Sequence, residues 1–223
     1  MKVEGLIECV RQKLGRVPGL HSLILFGSLV RGDFIPGTSD VDFFAVLEDG
    51  ADPEGILSKI RPVLEECSSS LRSVEVDIAW EYYSNLRDPL NLGYPYKFLT
   101  IYHRDFRENH VVVLGEDVVE SLPEYNFREI LSARLDGILE NLERFSGNRK
   151  MLHILAGETA RLLAFIHGSD LKKDDVLKTL KDLGDGDAIR IYEAYLDGRK
   201  TYFDEEFLKE FVRFRVGKMR KGL

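Results

Sequence analysis

The chain is poor in several of the features that mark a specialised protein. It has only two cysteines among 223 residues, Cys9 and Cys67. They lie far apart and show no metal-ligand spacing, so two reduced thiols of a cytosolic protein are expected. The five histidines show no metal spacing either. No apolar run approaches the roughly 20 residues that a membrane-spanning helix needs. The N-terminal stretch MKVEGLIECVRQKLG mixes acids and bases on an amphipathic helical pattern and is not a secretory leader. A basic excess is missing too: the net charge is −7, which makes a nucleic-acid partner unlikely, since such binders carry a basic footprint. Neither an internal repeat nor a low-complexity segment is present. The expectation is a soluble, cytoplasmic protein.

What the chain does have is enough apolar material, 44 % of residues, to pack one large domain or two modest ones. Val3, Leu6, Ile7, Val10 and Leu14 fall at helical spacing, with Pro18-Gly19 following. His21 to Phe26 reads as a first strand and Val41 to Leu47 as a second. The near-continuous apolar character of the second marks burial on both faces. A helix is expected over Ile56 to Leu64, started late or kinked by Pro62. Ser73 to Trp80 reads as a third strand, and His110 to Leu114 as a short fourth. Between them, residues 82 to 106 are rich in aromatics, including Tyr82, Tyr83, Tyr94, Tyr96, Phe98, Tyr102 and Phe106. After about residue 122 the strand pattern stops. Phe127, Ile130, Leu131, Leu135, Ile138, Leu139, Leu142 and Phe145 form one helical stripe. Further helices are expected over about 150–167, 173–183, 187–196 and 204–219, with Gly168, Gly184, Gly186 and Gly198 as punctuation. The fold class is therefore α+β: strands with helices over 1–122, in a mixed or parallel sheet, then an all-α helical bundle over 123–223.

The densest chemical pattern lies in residues 25–47, LFGSLVRGDFIPGTSDVDFFAVL. A strand ends in Gly27-Ser28, a polar connection follows, and Asp40-Val41-Asp42 opens the next strand. Strand side chains alternate with period 2, so Asp40 and Asp42 point the same way. Their mutual repulsion would be relieved by Mg²⁺, which binds through one or two carboxylates plus substrate phosphates. The small Gly27-Ser28 turn lets a phosphate approach the backbone. On the third strand Glu75 and Asp77 share a face. Three carboxylates beside a phosphate turn point to metal-dependent phosphoryl or nucleotidyl transfer. The negative net charge does not oppose a nucleotide substrate, because Mg²⁺ brings its own positive charge.

Gly27-Ser28, eleven intervening residues, Asp40-Val41-Asp42 in apolar flanks and a later strand acid together resemble the DNA polymerase β-like nucleotidyltransferase superfamily. Within it, VDIAWEYYSNL over Val76 to Leu86 resembles the third-acid strand of the aminoglycoside (streptomycin/spectinomycin) adenylyltransferases, where the position matching Asp77 carries a Glu that serves as catalytic base. The helical tail is also similar, at Ala160-Arg161-Leu162-Leu163 and in the polar segment Asp170 to Asp175. The resemblance implies a mixed β-sheet with flanking helices, Mg²⁺ and a nucleoside triphosphate donor, ATP or another. It assigns Gly27 and Ser28 to the phosphates and Asp40 and Asp42 to the metal. Arg31 and Ser39 are further candidates for the phosphates. Asp77 is either the general base or a third metal ligand, and Glu75 is its rival. This chain departs from the antibiotic enzymes in two places. Asp77 is shorter than their Glu, and the region comparable to their drug-contacting Trp is Leu162-Leu163-Ala164-Phe165. The only tryptophan here is Trp80.

The expected activity is transfer of AMP from ATP to a hydroxyl of a small molecule, bound between the sheet domain and the helical tail. An antitoxin-like enzyme that adenylylates a protein and a catalytically silent nucleotide sensor are the alternatives. Several residues have a plainer reading beside the functional one. Arg31 meets phosphate or forms an ion pair with Asp33 or Asp42. Lys97 reaches the triphosphate or is a solvated surface lysine. The aromatic segment stacks a ring of substrate or packs between the two domains. Glu158 and Arg161 are candidates for the wall of an acceptor pocket.

Overall fold

The computed structural model describes residues 3–73, 75–89, 96–197 and 203–222. Tyr94 of the aromatic segment and Gly198 of the tail fall outside the described residues. The chain divides into two compact units, residues 1–124 and 125–223.

The first unit is built on a four-stranded sheet in the order β3-β2-β1-β4. The strands are β1 (Leu20–Phe26), β2 (Val41–Leu47), β3 (Val76–Tyr82) and β4 (His110–Gly115). β1 runs antiparallel to both β2 and β4, whereas β2 and β3 are parallel. The sheet is therefore mixed, as expected. β2 is central and buried on both faces, which is why its sequence alternates so weakly. One face carries Leu23, Leu25, Val41, Phe43, Ala45, Leu47, Val76 and Ile78 against α1 (Val3–Leu14) and α3 (Pro53–Ser68). The other face carries Ile24, Phe44 and Val46 against Leu86, Leu99, Phe106, Val118, Val119 and Leu122.

α1 forms because Leu6 and Val10 share its buried stripe, one turn apart. It ends at Gly15, whose N–H donates to the Arg11 carbonyl at φ +53. Arg11 also donates to the Val112 and Val113 carbonyls of β4 and so ties α1 to that edge strand. α3 is longer than Ile56–Leu64. Pro53 starts it, and Pro62 is carried inside rather than starting it late. The buried stripe Ile56, Ile60, Leu64, Cys67 outweighs the one backbone bond that a proline removes.

The cysteines correct the sequence reading. Cys9 and Cys67 are joined in a disulfide with their Cα atoms 5.8 Å apart. The two helices lie side by side on one sheet face, and that neighbourhood cannot be read from the spacing of two distant thiols.

The described part of the aromatic segment contributes to the core of the first unit. Phe98 and Phe106 sit on Phe26 and Phe44, with ring centroids 4.5–6.1 Å apart. A 3₁₀ turn over Tyr83–Arg87 and the short α4 (His103–Glu108) lie within it. The second unit is helical: α5 (Phe127–Arg144), α6 (Arg149–Ile166), α7 (Lys173–Asp182), α8 (Gly186–Leu196) and α9 (Glu205–Lys221). Asn126, Asn148, Asp185 and Asp204 cap α5, α6, α8 and α9 with side-chain bonds to backbone N–H groups, each satisfying a donor that a helix start leaves open.

Candidate active site

β1 ends at Phe26, and the chain turns at once through Gly27 into a single helical turn, α2 (Ser28–Arg31). The sequence reading took this stretch as loop. Gly27 has φ 78 and ψ −156, a state that side chains other than hydrogen disfavour. A Cβ on Gly27 would stand 2.1 Å from Asp42 Oδ2. The turn and the acid are thus in direct contact, and the glycine is needed on both counts. Ser28 is nearly buried, and its carbonyl accepts from the N–H groups of Gly32 and Asp33.

Asp42 follows from the register. It faces Phe26 across the antiparallel pair and Asp77 across the parallel pair. The even-numbered positions of β2 face the aromatic layer, where Phe44 and Val46 lie, and Asp42 shares that side by the period of 2. On β3 the same side takes Asp77, because Val76 and Ile78 belong to the opposite core. Gly27, Asp42 and Asp77 are therefore brought together by three neighbouring chain segments. Asp40 stands one step before β2. Glu75 stands one step before β3, and its carbonyl accepts from Val41 N–H at 3.0 Å. Asp77, and not Glu75, is the partner of Asp42 in register.

Arg31 is held from the protein side. Its Nη1 donates to Asp105 Oδ2 at 2.8 Å, and its Nε lies 3.5 Å from Asp33 Oδ1. All three side chains are mostly buried. Asp105, on α4, also accepts from Asn109 Nδ2. The triad ties the turn that follows Gly27 to α4. Asp33 was among the partners the sequence offered; Asp105 was not, since nothing in a 74-residue separation signals it. Ser39 is likewise engaged by its own loop: its Oγ accepts from Ile35 N–H at 3.0 Å, and its N–H donates to the Ile35 carbonyl. The same loop is pinned by Gly37 N–H, which donates to the Arg72 carbonyl at 2.7 Å. Lys97 opens a turn in which its carbonyl accepts from Thr100 and Tyr102. In the second unit Glu158 pairs with Arg134 at 2.5 Å and is buried.

Among the described residues, no group of three or more His, Cys, Asp or Glu side chains is gathered closely enough to hold a metal ion. No helix among them is long and apolar enough to cross a membrane.

The mixed sheet thus sets two in-register aspartates beside a glycine turn. Residues 3–106 match the family model of the nucleotidyltransferase domain. That stretch, a little under half of the chain, is similar to nucleotidyltransferase domains. Among solved structures, a spectinomycin adenyltransferase, AAD(9), from Enterococcus faecialis, with ATP and spectinomycin, is similar in fold. It superposes with a TM-score of 0.61 at 13% sequence identity, covering 98% of this chain and 98% of that chain. A toxin-antitoxin structure with AMP-PNP aligns over 65% of this chain and 95% of that chain at 17% identity, with a TM-score of 0.31, too low to mark a shared fold. A comparison with curated protein sequences finds no match.

Proposed function

We propose that this enzyme moves AMP from ATP to a hydroxyl group of a small-molecule acceptor, using Mg²⁺. The observation that carries the reading is the register of Asp42 with Asp77, with Gly27 against the Asp42 carboxylate. In this reading the backbone of Gly27-Ser28 receives the triphosphate. Asp40 and Asp42 would hold Mg²⁺, and Asp77 either joins them or acts as base. The donor set fits the ion: hard carboxylate oxygens, few in number, with the substrate's phosphates completing the shell. Bound there, Mg²⁺ would supply charge neutralisation on the phosphates.

The chain's own groups do the rest. The Arg31–Asp105–Asp33 triad fixes the turn that cradles phosphate, and the Ser39 loop fixes the approach to Asp40. Asp77, as base, takes the proton of the acceptor hydroxyl. The hydroxyl oxygen then bonds to the α-phosphorus as the bond to pyrophosphate breaks. ATP consumption supports a cytoplasmic setting, whereas the Cys9–Cys67 bond argues the other way, since disulfides are rare there.

Calorimetric titration of the purified protein with ATP and Mg²⁺ tests the proposal. Binding is expected for the natural sequence, and a loss of at least about tenfold for Asp40→Ala/Asp42→Ala. No binding, or equal binding by the variant, refutes it.

A further inference from the structure

The second unit contains a cavity lined by its own residues, none of them named in the candidate site. Its volume is about 490 Å³, within the range of small-molecule sites. It opens between the first turn of α5, the last turn of α6, the end of α7 and the last turns of α9. Its apolar lining includes Leu131, Leu163 and Met219, which are buried. Phe127 and Leu183 also line it, yet they remain 39% and 41% exposed, as few large apolar side chains among the described residues do. A partly exposed apolar rim above a buried apolar floor is unfinished packing that a ligand can complete.

The charged lining is one-sided. Arg128 and Lys218 are the cations that line the cavity, His167 is a polar neighbour, and Asp185 is the acid among them. Asp185 is already committed. Burial alone would raise its pKa, but two bonds from Arg215, the Ala188 N–H and the charges of Arg215 and Lys218 outweigh that and hold it low. The Arg215 bonds are bidentate, at 2.9 and 2.5 Å. The Asp185 charge is thus spent inside the protein, and what remains for a ligand is cationic.

We propose that this cavity binds an amphipathic carboxylate: an aliphatic or aromatic body on the Leu131–Leu163–Met219 floor, with a single anionic head among Arg128, His167 and Lys218. A polycation would be repelled by Arg128 and Lys218. A neutral apolar molecule would fill the floor and leave the cations without a counter-charge.

Calorimetry of the full chain at pH 7, with decanoate, decanol and decylammonium each below its aggregation limit, tests this. The three share one apolar body and differ in the head. Decanoate is expected to bind about tenfold more tightly than decanol, the value of one charge-assisted contact, and decylammonium most weakly. Arg128→Glu/Lys218→Glu is expected to cost decanoate that tenfold and to leave decanol unchanged, with a lower melting temperature because the Lys218 charge near Asp185 is reversed. Equal affinities for the three, no heat with decanoate, or an unaltered decanoate affinity in the folded double variant overturns the proposal. If the variant fails to fold, the ranking of the three ligands on the natural sequence still decides.

Discussion

At Gly27 one hydrogen atom governs the geometry of the whole site. A methyl group there needs a backbone state disfavoured by about 1–3 kcal/mol and the space that Asp42 Oδ2 fills. Gly27→Ala is therefore expected to lower the melting temperature and to cut nucleotidyl transfer by about a hundredfold, the usual effect of a misplaced catalytic group. Both are measurable on one purified sample. The two acids of the third strand are separable in the same way. Asp77→Asn is expected to reduce kcat by at least about a hundredfold, while Glu75→Gln stays near the natural rate; a reversed order would move the role to Glu75. The Gly-Ser turn and the Asp-Val-Asp pair were legible because their spacing is local. Asp105 was not, because its hold on Arg31 arises only when α4 folds back on α2.

Among the elements, α1 and α3 are joined by the Cys9–Cys67 bond across 58 residues of chain. Closing a loop of that size adds about 2–4 kcal/mol. Addition of reductant is expected to lower the melting temperature, and thiol titration in denaturant without reductant to find no free thiol. Two titratable thiols would mean that the bond does not form in solution. In the second unit the start of α8 is tied to α9 through Asp185 and Arg215. The folded pKa of Asp185 lies below its ordinary 3.8. Its stabilisation is thus complete above that value and is lost as pH falls through the depressed folded value. Melts followed by helical circular dichroism are expected to shift down on acidification below about pH 4, and Asp185→Asn is expected to flatten that dependence. Most elements could be read from apolar periodicity, because each buries one stripe or both faces. α3 was read short because a proline weighs against a helix locally, while Ile56, Ile60, Leu64 and Cys67 support it only once the sheet is beneath them.

For the molecule as a whole, the buried residues of both core layers of the first unit run, among the described residues, from Leu6 to Leu122. A fragment ending at Glu124 is therefore expected to fold with one cooperative thermal transition, and a broad, non-cooperative melt would show that it borrows stability from the helical unit. What the sequence could not convey at this scale is the order of the strands. Four apolar runs are visible in it, but an order of β3-β2-β1-β4 with one parallel pair depends on how α3 crosses the sheet. That parallel pair has a further consequence. Asp42 and Asp77 are each the second residue of their strands, so both are measured from the same end. Had β2 and β3 run in opposite directions, the gap between the acids would have grown with every residue added to either strand. Here it is fixed by the spacing between neighbouring strands, about 4.8 Å. The far ends of β2 and β3 can lengthen, shorten or change their turns without altering the distance over which the two carboxylates act.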